Sequence, residues 1–303
     1  MNGHTASSPA VTTSPAPFNP RNINNSWITR KDVSGISSER RLQASPSPSP
    51  SSAPVGTVIS HSRLANGENG VPADLMATDD DFGWATVAIG DWDENGVGDF
   101  ASSARGSNEF HIFLFDADQD VIEVITMSPD SDGYGYTAPA SNSSWSIGLA
   151  FVGLEVLPGH PGVLGARFLV GQLTGEEIFD VLVSRNGTFS STQRYTPTTP
   201  GLDGEIDTNY AFAQSLASAD VDGDGYQDII SGAKLHGGNF QGAVYILFRN
   251  ASNDVTSVTR YANGENGIPA STFPVAQRFG SHLAWIGDWG DGTNVLAVGS
   301  DGS

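Results

Sequence analysis

The chain has 303 residues, 38% of them hydrophobic and only 16% charged, with 36 Gly, 17 Pro and no Cys. Acidic residues outnumber basic ones by 34 to 14, a net charge of −20 that disfavours nucleic acid and anionic lipid and favours cations. Without cysteine there are no disulfides, thiolate nucleophiles or Cys-ligated zinc.

Residues 1–55 are rich in Ser, Pro, Ala, Thr and Asn and end in SPSPSPSSAP. Such a segment buries too little apolar surface to offset its ordering entropy and is expected to be a disordered tail. The start, MNGHTASSPAVTTSPAP, lacks the basic and apolar regions of a secretory signal, and no apolar run approaches the roughly 20 residues of a membrane span. Four N-x-[ST] sequons, at Asn24, Asn142, Asn186 and Asn250, are about what chance gives in a chain so rich in Ser and Thr.

From residue 56 the texture changes to short apolar runs separated by Gly and Asp-Gly, and the runs repeat. RLANGENGVP (63–72) recurs as RYANGENGIP (260–269), and each leads into a Phe-Gly segment, at Phe82 and Phe279. Phe212 opens a third copy, AFAQSLASADVDGDGYQDIISGAK, 67 residues before Phe279. A degenerate copy fills the longer gap between Phe82 and Phe212: SWSIGLAFVG (144–153) matches FGWATVAIG, and FDVLVSRNGT (179–188) matches the GAVYILFRNAS segment. The period of about 65 residues suits one propeller blade with long loops. Within each unit, runs such as 86–89, 100–104, 111–115 and 256–261 read as strands, four to a unit. No stretch carries a helical period. The expected fold is all-β, a propeller of four-stranded antiparallel blades spanning 56–303, with units at about 63–130, 131–195, 196–261 and a truncated 262–303.

Two loops carry the chemistry. Residues 91–99 run Asp91, Trp92, Asp93, Glu94, Asn95, Gly96, Val97, Gly98, Asp99, and residues 220–228 run Asp220, Val221, Asp222, Gly223, Asp224, Gly225, Tyr226, Gln227, Asp228. Both fit D-x-D-x-[DN]-G-x-x-D. Alternating acidic side chains in a curled loop can converge on a hard cation that takes six to eight oxygens, and calcium is the cation expected. The candidate ligands are Asp91, Asp93, Asn95, the Val97 carbonyl and Asp99 in one loop, and Asp220, Asp222, Asp224, the Tyr226 carbonyl and Asp228 in the other. The sixth-position Gly permits the turn. An EF-hand is excluded because its twelfth-position Glu is replaced by Ser102 and Ser231, and strands flank both loops. In the last unit the loop at 288–294 is one residue short and ends at Val295, which favours a plain turn, and GLEVLPGHPG (153–162) of the degenerate unit keeps no acidic ladder.

These residues resemble the FG-GAP repeat of integrin α-subunit propellers. Phe82-Gly83 and Phe279-Gly280 match its first element, Ser231-Gly232-Ala233-Lys234 approximates its second with Lys in place of Pro, and Gly242-Ala243-Val244-Tyr245 matches its third strand. The resemblance implies calcium loops on one face of a propeller and a role in adhesion or ligand recognition at the cell surface, outside the cell, with a protein or glycan partner. Propellers of that family have seven blades, so about three and a half units lead to the expectation of a fragment whose last blade exposes strand edges. Residues 56–64 are expected to form a fourth strand for ring closure.

No catalytic constellation accompanies the loops. The six His lack metal-site spacing, and His111, inside a strand run, is expected to pack. A non-catalytic role is therefore expected, the alternatives being a carbohydrate-binding propeller or an accessory propeller of a larger secreted enzyme. Trp84, Trp92, Trp145, Trp285 and Trp289, at recurring repeat positions, are expected to pack between blades.

Overall fold

A computed structural model describes residues 61–137, 143–202, 204–206, 209–290 and 292–302. The expected tail, most of the 56–64 strand, and the sequons at Asn24 and Asn142 lie outside these residues. Every regular element described is a strand.

The first blade comprises β1 (Phe82–Gly90), β2 (Asp99–Ala104), β3 (Glu109–Phe115) and β4 (Val121–Met127). The second comprises β5 (Trp145–Val156), β6 (Leu164–Gln172), β7 (Glu177–Val183) and β8 (Phe189–Tyr195), and the third β9 (Ser215–Ala219), β10 (Asp228–Ala233), β11 (Ala243–Arg249) and β12 (Val255–Tyr261). A two-stranded sheet of β13 (Phe279–Asp288) and β14 (Asn294–Ser300) begins a fourth. Each sheet is an antiparallel meander in chain order. The first strands pack together in series, β1 on β5, β5 on β9 and β9 on β13, which makes them the inner strands of an all-β propeller.

Composition follows position. Middle strands such as β3 (EFHIFLF) and β11 (AVYILFR) are buried on both faces and so read as continuous apolar runs; β11 lies between two sheets, whereas the outer face of β3 is covered by linker residues such as Val71, Leu75 and Met76. Outer strands β8 (FSSTQRY) and β12 (VTSVTRY) bury their end residues and expose polar ones between. One core, around Phe110, Phe168 and Trp145, fills the space between blades one and two. A second, around Phe212, Tyr245 and Leu169, lies between blades two and three.

The Phe-Gly element acquires a backbone reason. The residue after the leading aromatic is left-handed in all four units: Gly83 (φ 85°), Ser146 (φ 67°), Ala213 (φ 68°) and Gly280 (φ 89°). Gly serves that conformation without the cost of a Cβ, which explains its recurrence and marks Ser146 and Ala213 as strained. The turn aims the following carbonyl into the neighbouring blade. A Cβ on Gly171 would lie 2.0 Å from the Ala213 oxygen, and one on Gly232 2.0 Å from the Gly280 oxygen.

The duplicated ANGENG segments shape the linkers leading into β1 and β13. Asn66 brackets Met76 through Nδ2 to its carbonyl (2.7 Å) and Oδ1 from its N–H (2.9 Å), and Asn263 brackets Phe273 at 2.7 and 2.8 Å. Arg63 pairs with Glu68 as Arg260 pairs with Glu265. The linker then docks on the outer strand of the blade it enters: the Asn69 carbonyl accepts the N–H of Val121 at 2.9 Å. The next linker repeats this from Asp132 to Phe189 at 2.8 Å.

Histidine 111 packs as expected, 1% exposed, with Nδ1 2.9 Å from Thr126 Oγ1. The tryptophans divide. Trp92 and Trp145 are buried between blades, with Trp92 Nε1 donating across to the Leu164 carbonyl (3.1 Å), whereas Trp84 and Trp289 are exposed. For those two the packing expectation is corrected: Trp84 starts an inner strand at the hub, and Trp289 sits in a surface turn.

Candidate metal centre

Each acidic loop joins an inner strand to the second strand of its blade. A bulge ends the inner strand of the first blade, so Gly90 pairs with Asp99, and in the third blade Ala219 pairs with Asp228. The chain must reverse between these partners, and Gly96 (φ 88°) and Gly225 (φ 94°) supply the left-handed turn expected at the sixth position.

In the first loop, carboxylate oxygens of Asp91, Asp93 and Asp99 lie within 4.8 Å of one another. Backbone N–H groups and one side-chain amide hold them inward: Asp91 accepts from the N–H groups of Asn95 (2.9 Å) and Gly96 (2.8 Å), and Asp93 from Asn95 Nδ2 (3.0 Å). Asn95 also donates to the Phe115 carbonyl at 2.6 Å and accepts the Val97 N–H at 2.8 Å, tying the loop to the end of β3. In the second loop Asp220, Asp222 and Asp224 come within the same 4.8 Å. Asp220 accepts from Gly223 (2.8 Å) and Gly225 (2.9 Å), Asp222 from the Asp224 N–H (3.2 Å), and Asp224 from the Tyr226 N–H (2.8 Å).

The ninth-position acids do something the sequence did not disclose. Asp228 is fully buried and stands outside the three-carboxylate group of its loop. One of its oxygens accepts the Val221 N–H (2.9 Å) and the other the Arg249 N–H (2.9 Å). Asp99 repeats this with Trp92 (2.9 Å) and Phe115 (3.1 Å) while also joining its metal-type cluster. Each ninth Asp therefore staples the loop to the end of the third strand. Burial pushes the Asp228 carboxyl up to about 6 despite those two donors, and burial likewise raises Asp99 and Asp222.

The degenerate second blade shows what replaces the acid. Its bulge pairs Gly153 with Arg167, the register position of Asp99 and Asp228. Arg167 is salt-bridged to Glu155 at 2.8 Å and Asp180 at 3.1 Å, so a guanidinium stands where the other blades place a carboxylate. Asp180, buried in β7, also takes Arg249 Nη1 of the third blade at 2.5 Å. Arg249 in turn donates through Nε to the Gln227 carbonyl (2.5 Å) and contacts Tyr195 Oη at 3.3 Å. The second acidic loop is thus wired to the second blade through an ionic triad. Its one legible trace was an Asp inside the apolar run FDVLVS. In the last sheet Val295 holds the ninth position, opposite Gly287, and Asp288 accepts from Gly290 and Gly292 at 2.8 Å, a turn arrangement. Asp291 lies outside the described residues.

Residues 212–247 match the family model of the FG-GAP repeat. The chain therefore carries an FG-GAP repeat in its third blade. The matched FG-GAP segment begins at Phe212, encloses β9, the 220–228 loop and β10, and ends at Leu247 in β11. No curated protein matches the chain in sequence. Among the described residues no helix is long and apolar enough to cross a membrane.

The oxygen-only donor sets suit a hard divalent ion. Three carboxylates gathered within 4.8 Å, with no cationic side chain among the described residues hydrogen-bonded to them, repel one another, and a cation placed between them would relieve that repulsion.

Proposed function

We propose that the chain is a non-catalytic, calcium-binding recognition module that works outside the cell or at its surface. The observation that carries the calcium reading is the convergence of Asp91, Asp93 and Asp99, and of Asp220, Asp222 and Asp224, in two loops with the same register. Asn95 and the carbonyls of Val97 and Tyr226 are the further oxygen ligands, and the resident ion is Ca²⁺, whose size and flexible coordination suit such loops. A bound ion neutralises the gathered charge and fixes the loop, and through the Asp99 and Asp228 staples it fixes the third strand as well. Calcium then acts as a folding ligand, stabilising by RT ln(1 + [L]/Kd). The integrin-like setting of the FG-GAP repeat supports a role in adhesion or ligand recognition, with a protein or glycan partner at the cell surface.

Thermal unfolding in millimolar calcium and in excess EDTA tests this. A melting temperature raised by calcium is expected, with part of the rise lost on replacing Asp222 and Asp224 by Ala and the rest on also replacing Asp91 and Asp93. Equal melting in both buffers would remove the calcium reading.

A further inference from the structure

At the opposite end of the inner strands from the acidic loops lies a cavity of about 250 Å³. It is built from the same three repeat positions of all four units, the second to fourth residues after the leading aromatic: 84–86, 147–149, 214–216 and 281–283, closed on one side by Lys234 and Asp301. From Gln214 to Asp220 is six residues of extended chain, so roughly 20 Å separates the cavity from the nearer acidic loop.

The repeats serve as their own alignment. At the leading position they keep a large aromatic, Phe82, Trp145, Phe212 and Phe279, and the next position is left-handed throughout. At the first cavity position they diverge to Trp84, Ile147, Gln214 and Ser281. Four equivalent positions thus present four different side chains to one cavity.

The side chains define the ligand. Gln214 is 9% exposed, lines the cavity, and its carboxamide makes no hydrogen bond to any described residue. Its amide atoms are not among the fully enclosed, unpartnered side-chain atoms, so they keep access to the cavity and stand open to a ligand's hydroxyls. The imidazole of His282 also lines the cavity and has no hydrogen-bond partner among the described residues. Trp84 is 45% exposed although Arg105 lies 3.8 Å over one face of its ring, with the guanidinium also bonded to Asp81 at 2.8 Å. The charges in the wall cancel, since Lys234 and Asp301 pair at 3.6 Å. An indole surface, a carboxamide able to donate and accept, and a wall without net charge match a ligand with an apolar face and several hydroxyls. The volume, a little under the roughly 300 Å³ at which drug-sized sites begin, limits it to a small one. A chain of net charge −20 also disfavours anions.

We propose that the hub cavity binds a single uncharged sugar ring, stacked on Trp84 and hydrogen-bonded by Gln214 and His282. This deepens the recognition reading but needs no metal at the site. The test uses the full chain, with saturation-transfer NMR and tryptophan-fluorescence titration against glucose, galactose, mannose and N-acetylglucosamine, in calcium. At least one sugar is expected to bind, and Trp84→Ala and Gln214→Ala are each expected to weaken it roughly tenfold or more. Gln214→Ala removes no hydrogen bond to a described residue, so its melting temperature should hold and separate lost binding from lost fold. Binding of none of these sugars, or binding unchanged in both variants, would overturn the proposal while leaving calcium-dependent melting intact. Sugar binding abolished by the Asp222 and Asp224 substitutions but not by these two would also overturn it, by moving the site to the loops.

Discussion

Single side chains carry two separable jobs in the acidic loops. Asp222 and Asp224 gather charge at the loop surface, whereas buried Asp228 satisfies the N–H groups of Val221 and Arg249. Removing its carboxylate leaves two backbone donors without an acceptor. Asp228→Ala is therefore expected to cost about 2–4 kcal/mol even in EDTA, read by urea denaturation, where Asp224→Ala should cost little without calcium. Both residues fit one sequence pattern, but their division of labour depends on which backbone groups the third strand brings near, and no spacing rule contains that. His111 offers a second residue-scale check. Burial lowers its pKa from 6.5 to about 4, so the unfolded chain binds the extra proton between those values. Its contribution is complete above pH 6.5 and lost as pH falls toward 4. Between pH 7 and 5 the protein should lose about 2 kcal/mol more than His111→Gln, both measured by urea denaturation in EDTA.

Between elements, the acidic pattern and the turn glycines were legible because loop geometry depends on neighbours in sequence. The triad of Arg167, Asp180 and Arg249 was not, since its members come from β6, β7 and β11 of two blades. The degenerate unit could be read as lacking an acidic ladder, but not that Arg167 stands at the ninth-acid register. Removing the shared anion leaves the buried Arg249 guanidinium without its carboxylate, while Arg167 keeps Glu155, and Asp180→Ala is expected to destabilise by about 3–5 kcal/mol in chemical denaturation. Because Arg249 also holds Asp228 and Gln227, the same substitution should weaken calcium binding at 220–228 while sparing 91–99. Equal weakening at both loops, or none, would break the proposed coupling.

Across the whole molecule, the four-strand unit and its period of about 65 residues emerged from the duplicated ANGENG segments and the recurring aromatics, and the sheets bear out the blades of an all-β propeller. The fate of each tryptophan could not be read this way, because Trp92 and Trp289 hold the same loop position yet one is buried against a neighbouring blade and the other is exposed in a surface turn. The resulting layout places the acidic loops where the inner strands end and a divergent cavity where they begin. The claim on which the rest depends is that the two loops hold calcium. Isothermal titration of EDTA-stripped protein with calcium tests it most directly. One ion for each of the loops 91–99 and 220–228 is predicted, with the second loop's ion lost on replacing Asp222 and Asp224 by Ala and the first loop's on replacing Asp91 and Asp93. Absence of calcium uptake, or uptake unchanged in those variants, would contradict the account.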